Sequence, residues 1–162
     1  SVSVEPPMFV DVVNVTSAAD MADVVKSKAA EQDIIIMTAA VADFCPSHPA
    51  DEKIKKNDSS YESVIELERT EDILSYLGAH KAKGQLICGF SMETQNMLEN
   101  SKAKLAKKNA DMIVANNLKV AGAGFGTDTN VVTLITADDC TELEIMDKSC
   151  VAARIMDRLL QM

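Results

Sequence analysis

The sequence predicts an α/β domain: a three-layer, Rossmann-like, mostly parallel sheet with additional C-terminal strands. Three observations predict it. Short aliphatic runs at Phe9 to Val15, Asp33 to Ala40, Gln85 to Phe90 and Asp111 to Ala115 alternate with stretches of helical period. The run Ile34-Ile35-Ile36-Met37 has no polar interruption, as a strand buried on both faces requires. The 162 residues are 47% hydrophobic with no Trp, two Tyr and four Phe, so aliphatic layers must build the core, in a chain the size of one domain. One domain over residues 1–162 is therefore expected.

The elements follow in order. Ser1 to Met8 ends in Glu5-Pro6-Pro7 and reads as an extended lead-in. Phe9 to Val15 is β-branched and reads as a strand. Ser17 and Asp20 have the spacing of a capping box, and Ala18, Met21, Ala22, Val25 and Ala29 recur at helical intervals. Asp33 to Ala40 closes a right-handed β-α-β unit. Val41 to Ser60, with its prolines and charges, reads as an irregular excursion, and residues 42–60 as an active-site flap. Val64 to Leu67 is a short strand, Thr70-Glu71-Asp72 opens a helix that stops at Gly78, and Gln85 to Phe90 is the next buried strand. Thr94 caps a helix whose late lysines, Lys102, Lys104, Lys107 and Lys108, suit its C-terminal end. Asp111 to Ala115 is a strand. Val131 to Ile135 and Glu142 to Met146 form an antiparallel hairpin, and Asp147 or Ser149 starts a terminal helix.

Composition excludes several functions. Against 25 acidic residues stand 16 Lys plus Arg, a formal charge of −9 that repels a phosphate backbone and argues against nucleic-acid binding. Cys45, Cys88, Cys140 and Cys150 lack C-x-x-C spacing and read as free thiols. No apolar run approaches the roughly 18 residues of a membrane span, so a cytoplasmic protein is expected. The chain starts at Ser1 rather than Met and reads as a piece of something longer.

Ligand chemistry is expected beyond the carboxyl ends of the parallel strands. Asp43 lies there, as a ligand for a divalent ion or as an ordinary turn carboxylate. Lys53, Lys55 and Lys56 form either a positive clamp over phosphates or a solvent-facing charge run. Phe90, before Ser91-Met92-Glu93-Thr94, either lines a pocket or is core. Asn116 and Asn117 end another strand and can supply amide hydrogen bonds. Gly122-Ala123-Gly124-Phe125-Gly126 lacks dinucleotide-fingerprint spacing, and Cys45 near His48 lacks an orienting acid.

Ala39-Ala40-Val41-Ala42-Asp43-Phe44 followed by Lys53-Ile54-Lys55-Lys56 closely resembles the signature of bacterial phosphopantothenoylcysteine synthetase, the second half of the bifunctional coenzyme A biosynthesis flavoprotein. Thr70-Glu71-Asp72-Ile73-Leu74, Gly89 to Thr94, Ala110 to Asn116 and Gly124 to Asn130 match further motifs in order. The resemblance implies an acid–amino-acid ligase joining 4′-phosphopantothenate to cysteine through an acyl-cytidylate, with CTP as cosubstrate and Mg²⁺. FMN would belong only to a separate decarboxylase domain. By position, Lys53 is then the catalytic flap lysine; Asp43 holds nucleotide and metal; Phe44 and Phe90 line the nucleotide pocket; Ala40, Lys56 and Asn116 complete it. A homodimer is implied. The family's opening strand and glycine-rich stretch have no counterpart here, so the resemblance implies a fragment that depends on an N-terminal segment or on the decarboxylase domain. Ser91 and Met92 replace two alanines of the family pattern. Two other readings stand against this one: a dehydrogenase-like nucleotide-binding domain, which lacks its glycine fingerprint here, and a non-catalytic structural fragment.

Overall fold

A computed structural model of the chain describes residues 5–50, 52–53, 64–92, 96–117 and 126–162. The first helix, α1 (Ala18–Ala29), begins where the sequence writes its own cap. The Ser17 hydroxyl accepts from the Asp20 N–H at 3.1 Å, and the Asp20 carboxylate accepts from the Ser17 N–H at 2.9 Å. That reciprocal pair satisfies two amides a helix start leaves open. Hydrogen bonds from the side chains of Thr16 and Ser17, then from their backbone, pull the Asp20 pKa down to about 2.

Strand β1 (Ile34–Met37) follows, then β2 (Phe44–Pro46), β3 (Leu67–Arg69), α2 (Ile73–Ala79), β4 (Leu86–Met92) and α3 (Met97–Lys108). The chain continues through β5 (Met112–Asn116), β6 (Thr129–Asn130), β7 (Val132–Ile135), β8 (Cys140–Glu142), β9 (Met146–Asp147) and α4 (Lys148–Leu159). The central sheet has the order β1-β4-β5-β7-β8. Strands β1, β4 and β5 are parallel, with Ile34 opposite Leu86 and Cys88 opposite Met112; β7 and β8 add antiparallel. Two small ribbons, β2 with β3 and β6 with β9, stand apart from it.

Alternation along each strand sorts side chains into two cores. On one face Cys88, Met112, Val114, Val132 and Leu134 pack against Val151, Ile155 and Leu159 of α4. On the other, Ile87 meets Ala22, Ile73 and Leu77 of α1 and α2, while Ile113, Ala115 and Ile135 meet Leu105 of α3. Burying one such aliphatic side chain contributes about 1.5–3 kcal/mol. Polar struts join the layers. The Asp111 carboxylate accepts from Lys81 Nζ at 2.9 Å and from the Ile87 N–H at 2.7 Å. The hydroxyls of Ser91 and Ser101, both buried, lie 2.7 Å apart.

The three-layer α/β class and the extra C-terminal strands are as expected, and the antiparallel hairpin is present. Its second strand runs Cys140–Glu142 rather than 142–146, because Ile135 pairs with Cys140 across a tight turn closed by Thr136 and Asp139. Phe9 to Val15 is not in a strand: its large apolar residues are mostly exposed, and β-branched residues make a strand only where a neighbour supplies hydrogen bonds. Gly78 does not stop α2 but lies inside it. The expected excursion contains β2, which pairs with β3. Thr94, Lys55, Lys56 and the glycines from 122 to 124 lie outside the described residues.

Candidate functional site

Because β1 and β4 are parallel, their carboxyl ends open on the same edge of the sheet. The chain leaving β1 and the chain entering α2 are stitched together there. The Thr70 N–H donates to the Asp43 carbonyl at 3.0 Å, and the Thr70 hydroxyl donates to the Ala42 carbonyl. Between this junction and α3 lies a cavity of about 270 Å³. Met37, Val41, Ile73 and Leu74 give it an apolar floor; Asp43, Glu71, Asp72, Lys104 and Lys108 give it charge.

Two of those carboxylates are already paired. Glu71 meets Lys26 Nζ at 2.6 Å, and that hydrogen bond raises the lysine's pKa. Asp72 accepts from Lys108, which also donates to Ser75 Oγ at 2.9 Å. Burial works to raise the Asp72 pKa, but the Lys108 hydrogen bond and then the Ser75 N–H outweigh it and hold the carboxyl below its ordinary value. Lys104 donates to the Phe90 carbonyl at 2.8 Å. One hydrogen bond leaves two of its three N–H donors for a ligand, and among the described residues no carboxylate pairs with it.

Of the residues singled out from sequence, Asp43 and Phe90 line the cavity. Ala40 does not, although its neighbours Ala39 and Val41 do. Phe44 is carried off on β2, half exposed, with the Arg69 guanidinium 5.7 Å from its ring centre. Lys53 is exposed and is not a lining residue; Lys56 lies outside the described residues. Asn116 ends β5 away from the cavity, its carboxamide oxygen accepting from Asn130 at 2.9 Å. Among the described residues, no three of His, Cys, Asp and Glu cluster as metal ligands do. Sequence reasoning missed Thr70, Glu71, Asp72, Lys104 and Lys108 as site residues. The four-residue spacing of Lys104 and Lys108, which puts both on one helical face, was the available signal.

A three-layer α/β domain with a charged pocket at the carboxyl ends of its parallel strands has the architecture of the doubly wound class, in which that edge of the sheet is where ligands bind. The comparisons make this specific: the chain belongs to the family described as DNA/pantothenate metabolism flavoprotein C-terminal domain, which matches over residues 1–162. It is 46% identical over 156 residues to the coenzyme A biosynthesis bifunctional protein CoaBC of Bacillus subtilis (strain 168), covering 96% of this chain and 38% of the relative. It is 45% identical over 152 residues to a cysteine/cysteine sulfinic acid decarboxylase of an unknown prokaryotic organism, covering 93% and 42%. The chain thus spans well under half the length of these relatives. The crystal structure of the C-terminal domain of a coenzyme A biosynthesis bifunctional protein CoaBC superposes with a TM-score of 0.78 at 40% identity, covering 99% of this chain and 72% of that one. A Streptococcus pneumoniae DNA/pantothenate metabolism flavoprotein shares the fold at TM-score 0.75 and 16% identity, covering 99% and 76%.

These findings correct the reading drawn from the motifs. The matching family is described as the C-terminal domain of a DNA/pantothenate metabolism flavoprotein, and the activity spelled out in a relative's name is a decarboxylase. The synthetase assignment, the CTP-dependent ligase chemistry, CTP with Mg²⁺ as its cofactors, and 4′-phosphopantothenate with cysteine as its two substrates are therefore replaced. The family's description names a flavoprotein, so the expectation that set FMN apart in a separate decarboxylase domain is withdrawn with them. Within the cavity itself three carboxylates, Asp43, Glu71 and Asp72, face two lysines, Lys104 and Lys108.

The described cavity does not fit a flavin on its own. Its volume of about 270 Å³ falls below the roughly 300–1,000 Å³ of ordinary ligand sites. The Phe90 side chain packs on the opposite face of the sheet, against the core under α4, and Lys108 is already committed to Asp72 and Ser75.

Proposed function

We propose that this chain works in bacterial coenzyme A biosynthesis, in the cytoplasm, as part of an FMN-dependent flavoprotein that decarboxylates 4′-phosphopantothenoylcysteine, and that the described pocket holds an anionic end of that compound. The family's description, the coenzyme A role named for the Bacillus relative and the decarboxylase named among the relatives support this reading. A Cab2 variant of the same fold, at 18% identity, was solved with phosphopantothenate-cysteine, which makes the compound the natural probe. This chain's residues bind and orient.

The observation that carries the reading is Lys104. Its ammonium is fixed at the Phe90 carbonyl, faces the cavity, and keeps donors for a carboxylate or phosphate. Calorimetric titration with 4′-phosphopantothenoylcysteine tests it, alongside CO₂ release by the FMN-loaded full-length protein. Lys104→Met is expected to weaken binding by about 10- to 100-fold, the worth of one charge-assisted hydrogen bond. Absence of binding by the unaltered protein overturns the reading.

A further inference from the structure

Ser91 and Ser101 place two hydroxyls 2.7 Å apart inside an otherwise aliphatic layer, at 3% and 0% exposure. Each hydroxyl is the other's hydrogen-bond partner, and no buried side-chain polar atom among the described residues is left unsatisfied. Ser91 lies next to Phe90, whose carbonyl holds Lys104; Ser101 lies one helical turn before Lys104 on the same face of α3. Two bonds three residues apart on the helix therefore grip two consecutive residues at the carboxyl end of β4. The Ser91 pair sets the separation between α3 and β4, and Lys104 reaches across that separation into the cavity.

We propose that Ser91 and Ser101 are positioning residues for ligand binding: their hydroxyl pair sets the height of α3 over β4 and so aims the Lys104 ammonium into the pocket. Neither touches the ligand. This rests on the reading that the pocket binds 4′-phosphopantothenoylcysteine. Losing one hydroxyl strands the other in a dry layer, where it must draw in water or turn toward another acceptor, and the helix moves to allow it. Losing both strands no hydroxyl, and α3 settles toward β4 over the gap the two oxygens filled.

The physical signature is non-additivity. Ser101→Ala and Ser91→Ala are each expected to weaken binding of 4′-phosphopantothenoylcysteine by about tenfold. The double variant Ser91→Ala/Ser101→Ala is expected to bind no more weakly than either single variant, and Ser101→Thr, which keeps a hydroxyl, to bind more tightly than Ser101→Ala. Circular dichroism confirms the folded fraction of each. A second measurement needs no ligand: the ¹³Cε resonance of Lys104 in lysine-labelled protein is expected to shift in Ser101→Ala and to shift no further in the double variant. A Lys104 resonance that stays put in Ser101→Ala, or a double variant as weak as the two singles combined, overturns the proposal. If the unaltered protein does not bind the compound, the functional reading falls while the Lys104 resonance still decides this one.

Discussion

Gly78 of α2 lies against the backbone of Lys108 of α3 so closely that a Cβ built on the glycine would fall 1.8 Å from the Lys108 carbonyl oxygen. The two helices that wall the pocket thus touch backbone to backbone. Two effects oppose each other in Gly78→Ala. Alanine gains about 1 kcal/mol of helix propensity. The clash is with backbone, which cannot swing aside as a flexible side chain would, and such overpacking costs about 1–3 kcal/mol or more. The clash is expected to win, lowering the urea midpoint and separating α2 from α3; a midpoint at or above that of the unaltered protein would contradict it.

Asp20 makes stability depend on acid. Its folded pKa of about 2 lies below the ordinary 3.8, so its contribution is present above the ordinary value and is lost as pH falls through the folded one. Asp20→Asn is expected to lower the denaturation midpoint at neutral pH, by an amount that shrinks steadily as the pH falls from 4 toward 2. Ser17→Ala, which removes the other half of the box, is expected to cost about 1 kcal/mol at neutral pH. Denaturant titrations across this pH range check both.

Asp111 serves two partners from two strands' worth of structure, the Lys81 ammonium and the buried Ile87 N–H. Asp111→Ala strands both, and an expected loss of about 3–5 kcal/mol follows from breaking a mostly buried pair. Asp111→Asn retains one acceptor and should lose less. Equal losses in chemical denaturation would show that the Ile87 bond contributes little.

The four thiols should separate by reactivity. Burial, and then the charge of Asp111, push the Cys88 pKa up to about 12, whereas Cys150 is exposed on α4. Iodoacetamide followed by peptide mapping should label Cys150 in the native protein and Cys88 only after unfolding. Parallel labelling of the two in native buffer would place Cys88 nearer solvent than the fold does.

The legible parts of the fold were those whose cause is local. The Ser17–Asp20 box is complete within four residues, and the run from Ile34 to Met37 shows its own burial. Phe9 to Val15 has strand composition but no partner in the ladder, and composition cannot provide one. Gly78 has the look of a terminator because the residue that requires it, Lys108, is on a different helix. The site divides in the same way. Asp43 and Phe90 were legible from their positions after strands. Lys104 and Lys108 read as ordinary partners of a helix end until packing turned that end toward a cavity. The motifs reported a shared pocket frame, and the reaction attached to them did not survive comparison with the family.

The sheet order also has a bearing on how the molecule is made. Ile135 meets Cys140 across a few residues, whereas Ile34 must find Leu86 across a long stretch of chain that includes a separate ribbon and a helix. Loop-closure entropy therefore favours early assembly of β5, β7 and β8, with β1 docking late. Slow refolding should report on the arrival of β1, the strand whose end forms one wall of the binding site, so ligand competence is expected to appear only in the last kinetic phase.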